Sequence, residues 1–201
     1  MREYQSADIR NIALVGHGAA GKTMIAEFML ACSGVINRLG HISNNNTASD
    51  YHEDEQKNQH SIYASLLHAE WNNRKINIVD AAGYSDFIGE ALGALRVADL
   101  AAIVVHAEHA IELETENAWD YATRYAIPKL FIVNAVDKDN VKFDLLVDRL
   151  KGRFGNQIFP LTVPLVTGAN FKQFLDVINK KIITYKADES GNFDVSPVTD
   201  E

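Results

Sequence analysis

The octapeptide GHGAAGKT, Gly16 to Thr23, limits what this chain can fold into more than any other stretch. It satisfies G-x-x-x-x-G-K-[ST] in full, follows the apolar run NIALV at 11–15, and leads into a segment whose apolar residues recur every three or four positions. A glycine-rich turn between a buried strand and a helix wraps backbone amides around phosphate, and the helix start adds the positive end of its dipole. The whole loop, Gly16, His17, Gly18, Ala19, Ala20, Gly21, Lys22 and Thr23, is the candidate phosphate site. Lys22 brings a positive charge to the outer phosphates, and the Thr23 hydroxyl can ligate Mg2+.

Short apolar runs at 76–79 (INIV), 100–105 (LAAIVV) and 129–133 (KLFIV) read as further strands buried on both faces. Segments 22–32, 87–97, 113–126 and 143–154 have helical spacing, as in Leu145, Leu146, Leu150 and Phe154. The run SIYASLLHAEW at 61–71 is followed by Asn72 and Asn73, so it pairs most simply with 76–79 as an antiparallel hairpin. The expected fold is therefore α/β, of the P-loop NTPase kind: a mostly parallel sheet with one antiparallel edge strand, helices on both faces, and ligands at the carboxyl ends of the strands. Residues 40–60 show no periodicity, and their acidic run DYHEDEQ reads as a solvated, mobile loop. The polar tail, 187–201, reads as a frayed end.

Composition narrows the partners. A net charge of -8 over 201 residues argues against a general grip on nucleic acid, and no direct nucleic-acid patch is evident. The apolar runs are strand-sized, so the chain reads as soluble, cytoplasmic and without a membrane partner. The single cysteine, Cys32, forms no internal disulfide, and its apolar helical surroundings suggest a packed thiol.

Two weaker motifs gain weight from their order. In DAAG, Asp80 at a strand end can hold magnesium through water, and the Gly83 amide is placed to meet a terminal phosphate. In NAVD, Asn134 can pair with the O6 and N7 edge of guanine, and Asp137 can accept from its N1 and N2 hydrogens. GTP or GDP with Mg2+ is the ligand this order points to, with an ATPase as the remaining alternative. His106, Glu108 and His109 are metal-donor types, but exposed polar residues are ordinary after a strand. Trp71 and Trp119 read as packing residues.

Taken in order, GHGAAGKT, INIVDAAGYSDFIGEALGALRVAD, ETENAW and FIVNAVDKDN resemble the GTP-binding domain of bacterial elongation factor G and its relatives over nearly the whole chain. TASDYHEDEQKNQHSIYASLLHAEW with DAAGY is similar to the elongation factor G-like subgroup that carries Tyr where the principal translocase has His. The resemblance implies a GTP-binding domain over 1–155, the beginning of a small insert subdomain over 156–186, and a fragment that ends before the final guanine-loop motif S-A-x. It implies the ribosome as partner of the full-length protein, Ser61 as a magnesium-binding hydroxyl, and Tyr84, Gly83 and Lys22 as the catalytic group. Three departures weaken the pattern: DAAG replaces D-T-P-G, Ala135 replaces the lysine of N-K-x-D, and Asn58 replaces an arginine. Two functions follow from it. One is a Mg-dependent GTPase with slow or ribosome-stimulated hydrolysis, and the other is a degenerate, non-hydrolysing domain that docks on the ribosome or a protein.

Overall fold

The computed structural model describes residues 3–186 and 193–198. These fall into two compact units, one within Met1–Val105 and Glu112–Ile132, the other within His106–Ile111 and Val133–Glu201.

The first unit is organised by a five-stranded sheet in the order β2-β3-β1-β4-β5. Its strands are β1 (Ile9–Val15), β2 (Ser65–Trp71), β3 (Arg74–Asp80), β4 (Leu100–His106) and β5 (Lys129–Asn134), the last two running on into the second unit. β1 pairs in parallel with β3 and β4, while β2 and β3 form the antiparallel hairpin, Trp71 opposite Arg74. Ala13, Leu14 and Val15 are all fully buried. Successive strand residues point to opposite faces, so both faces of the sheet are covered.

Helix α1 (Lys22–Cys32) lies on this sheet, with Leu14, Ala26, Ala69, Ile78 and Ala102 at the centre of the packing and Ile25, Met29 and Leu67 around them. Its buried stripe runs Lys22, Thr23, Ala26, Glu27, Leu30. Cys32, expected in the core, is exposed because it falls two residues past Leu30, on the opposite side of the helix. Helix α3 (Ile88–Val97) buries Ala94 and Leu95, and α4 (Leu113–Arg124) buries Thr115, Ala118 and Ala122. Trp119 on α4 stacks on Phe131 at 5.5 Å with Lys129 over its ring, as a packing residue does, whereas Trp71 at the hairpin end is 51% exposed.

The segment read as a mobile acidic loop is built around buried carboxylates. It contains a 3-10 turn, Ile42–Asn44, and a short helix α2, Glu53–Asn58. Glu55 is fully buried: its Oε1 accepts from the Ile62 and Tyr63 amides at 3.0 and 3.1 Å, and its Oε2 from the His52 amide at 3.3 Å. Glu27 on α1 accepts from the amides of Gly40 and Ala48. The loop is therefore held by charge-assisted bonds to its backbone, which periodicity cannot reveal.

In the second unit, α5 (Phe143–Phe154) buries Leu146, Leu150 and Phe154 and leaves Leu145 half exposed. An antiparallel sheet follows, β6 (Thr162–Pro164), β7 (Gln173–Asp176), β8 (Lys181–Tyr185) and β9 (Phe193–Pro197), paired in chain order. The tail expected to fray thus contains a strand: Phe193 lies opposite Tyr185 and Pro197 opposite Lys181. Beyond that strand the Val198 amide bonds the Lys180 carbonyl at 3.2 Å, and residues 187–192 and 199–201 lie outside the described residues.

Candidate functional site

Parallel register sets the site. Leu14 lies opposite Asp80, and the Ala81 amide bonds the Leu14 carbonyl at 3.2 Å, so β1 and β3 end at the same level. The Gly16–Thr23 loop leaves β1 there and DAAG leaves β3 beside it. Gly16 takes a φ of 127°, and a Cβ on it would run into the Val104 carbonyl oxygen. Only glycine fits that passage beside β4.

Lys22 and Thr23, the first two residues of α1, are both buried. The Lys22 ammonium donates to the Gly16 and His17 carbonyls at 3.1 and 2.8 Å. Burial lowers its pKa, opposed by Asp80, Glu114, Asp50 and Glu112 in that order. His17 is gripped from α4, its Nδ1 paired with the Glu114 carboxylate and its Nε2 lying 3.4 Å from Glu112.

Around Thr23 the hydroxyls and carboxylates form a chain. Thr23 Oγ1 donates to Asp80 Oδ2 at 2.8 Å and meets Ser61 Oγ at 3.1 Å, and Ser61 Oγ donates to Asp50 Oδ1 at 2.8 Å. Burial is the main cause that lifts Asp80 to about 6, against Lys22, and burial also raises Asp50. Asp80 Oδ1, Asp50 Oδ2 and the Ser49 hydroxyl are buried and make no well-formed hydrogen bond among the described residues, although the Ser49 hydroxyl lies near enough to the Asp80 carboxylate to favour its charged form. Two hydroxyls and two carboxylates with unused oxygens suit a hard divalent cation such as Mg2+, which prefers oxygen ligands. The donor set present therefore fits the ion.

DAAGY closes over the loop. A Cβ on Gly83 would collide with the Lys22 ammonium and lie 2.8 Å from both the Gly16 carbonyl oxygen and the Gly18 nitrogen. The Tyr84 ring lies over Gly18 and packs edge-on against His60, centroids 4.8 Å apart. Asn58, standing for an arginine in the resemblance, is exposed and bonds the Asp54 carbonyl at 2.8 Å.

Of the residues singled out in the sequence, Gly16 to Thr23, Ser61, Asp80, Gly83 and Tyr84 gather in the first unit. Asn134 and Asp137 belong to the second. There the NAVD turn has Ala135 at φ 60°, Asp137 exposed, and the Val136 carbonyl accepting from the Gly168 amide at 2.9 Å. Thr167 adds a bond from its hydroxyl to the Val141 carbonyl at 2.9 Å. Sequence reasoning missed this Thr167–Gly168 buttress, and it missed Asp50 and Glu55. A hint lay in their density, since DYHEDE crowds four acids near one phosphate loop.

The family model of the elongation factor Tu GTP binding domain matches residues 7–192. The mitochondrial ribosome-releasing factor 2 of Debaryomyces hansenii is 34% identical over 196 residues, covering 95% of this chain and 23% of that protein. A crystal structure of a Thermus thermophilus protein superposes with a TM-score of 0.89 at 31% identity, covering 97% of this chain and 29% of that one. The chain thus spans less than a third of the length of either relative. Among the described residues, no helix is long and apolar enough to cross a membrane.

Proposed function

The chain belongs to the family of elongation factor Tu GTP-binding domains, and from that premise we propose that it is the Mg-dependent nucleotide switch of an elongation factor G-like translational GTPase. Gly16 to Thr23 cradle the phosphates, Lys22 turns its ammonium from its own loop carbonyls to the outer phosphates, and Asn134 and Asp137 select guanine. Thr23, Ser61 and Asp80, joined by Asp50, hold Mg2+, which when bound neutralises charge on the phosphate oxygens. The observation that carries this reading is the Thr23, Ser61, Asp50 and Asp80 cluster, with two buried carboxylate oxygens left unbonded beside the phosphate loop.

Hydrolysis is slow on this reading. Tyr84 replaces a histidine, and a phenol lacks the imidazole ring nitrogen that can accept a proton from an attacking water. The ribosome is the partner that accelerates it, a proposal supported by the name of the Debaryomyces relative. The compartment follows the ribosome: cytoplasm is our reading, and the mitochondrion in that relative's name is what fractionation would reveal instead. We also read 156–186 as the beginning of an insert subdomain after a GTP-binding domain over 1–155, supported by the separate antiparallel sheet that starts at Thr162.

Titration with fluorescent GDP and ADP in Mg2+, against Lys22→Ala, tests the core of this. Binding that prefers GDP, requires Mg2+ and disappears in the variant is the expected result. Equal binding of ADP, or binding that Lys22→Ala leaves intact, would overturn it. Turnover with ribosomes then separates a slow GTPase from a domain that only docks.

A further inference from the structure

Beyond the nucleotide site, one turn of the second unit gathers metal donors that the spacing H-x-E-H alone does not bring together. β4 ends at His106, and the chain reverses at once: the His106 carbonyl accepts from the His109 and Ala110 amides at 3.2 and 2.9 Å, and Ala110 takes a φ of 61°. That closed turn puts one ligand atom each from His106, Glu108 and His109 within 4.8 Å of one another. The two imidazoles stack with centroids 4.8 Å apart and planes 26° from parallel.

Among the described residues, the Glu108 carboxylate and the His109 ring make no hydrogen bond or ion pair, and the His106 ring takes only a long 3.4 Å bond at Nδ1 from the Glu108 amide. Glu108 and His109 are exposed and His106 is partly so. Ligation therefore displaces water and one weak bond.

We propose that this turn is a surface site for a divalent transition metal of the zinc class, separate from the magnesium site. Two imidazoles and a carboxylate are a borderline-soft donor set that suits Zn2+, Co2+, Ni2+ or Cu2+ and disfavours Mg2+, which seeks oxygen alone. Bonds of about 2.0–2.2 Å in a tetrahedron set donors roughly 3.4 Å apart, so the two stacked rings must rotate to bring the three ligand atoms onto one ion. Three protein ligands leave an open position for water. The same turn donates the Ala107 amide to the Asn134 carbonyl at 2.9 Å, so a metal here stiffens the turn that supports the start of NAVD.

The test is titration of the chelator-treated chain with Co2+ in excess Mg2+, read by visible absorption and by displacement with Zn2+. The expected result is one equivalent with the intense bands of four-coordinate cobalt, displaced by Zn2+. Affinity should fall at least about tenfold in Glu108→Gln and in His109→Ala, since loss of a ligand costs no less than loss of an outer-shell partner. It should vanish in the His106→Ala/His109→Ala double variant, with the fold checked by circular dichroism. Binding that survives in the folded double variant, binding that disappears instead with His17→Ala, or no uptake by the wild-type chain would each overturn the proposal.

Discussion

The Thr23 cluster and the NAVD turn of this chain are organised by different forces. Around Thr23 the order comes from buried charge: Lys22, Asp50, Glu55 and Asp80 are each 6% exposed or less, and Glu55 alone fixes three backbone amides. The NAVD turn instead leaves Asp137 exposed and is supported by backbone bonds to its neighbours, Gly168 to Val136 and Ala107 to Asn134. Buried ions are costly to leave unpaired, so the first region is sensitive to pH and to single truncations, and the second should tolerate substitution with small, specific effects.

The sharpest way to break the contrast is Glu55→Ala. It strands the Ile62 and Tyr63 amides, and it should cost about 2–4 kcal/mol in denaturant unfolding while loosening 40–60 in hydrogen exchange. A cost within experimental error would show that the acidic loop is not held as described.

Acidity provides the next test. Asp80 sits at about 6 in the folded chain, above an unfolded aspartate. The folded state therefore binds that proton more tightly, and this stabilisation is complete below about pH 4 and lost as pH rises through 6. Without nucleotide or metal, the wild-type unfolding free energy should fall across that window, by about 3 kcal/mol at most. Asp80→Asn should flatten the fall, and parallel curves would place the cost elsewhere.

On the guanine side, Asp137→Ala should reduce the preference for GDP over ADP by about 10–100-fold, the worth of hydrogen bonds to a charged group, with unfolding stability unchanged. Smallest is Ala135→Lys, which adds an aliphatic stem and should tighten GDP by less than about tenfold. If it stabilised the chain as strongly as Glu55→Ala destabilises it, the division into two regimes would fail.

What the sequence made legible follows the same line. The strand, loop and helix from Ile9 to Cys32 could be read because a phosphate loop demands fixed residue types at fixed places, and the Ser65–Asp80 hairpin because Asn72 and Asn73 mark its turn. Asp50 and Glu55 looked like part of a solvated acidic run, since nothing local says that one will be buried against the Ser61 hydroxyl and the other against the Ile62 and Tyr63 amides. Leu146 could not be told from Leu145 before the facing elements were known. β9 was hidden because FDVSP is exposed at every position, so its strand owes its register to β8 and not to an apolar face.

The bonds from Lys22 to its own loop give nucleotide entry the character of an exchange reaction. Two carbonyls already satisfy the ammonium, so an arriving anion must outcompete the pair. Any phosphate would replace those neutral carbonyls with a charge-assisted bond, and a diphosphate would bring further oxygens to the loop amides in the same encounter. At the proposed site the resting lysine would thereby favour, by the number of oxygens offered at once, a polyphosphate chain over a single phosphate.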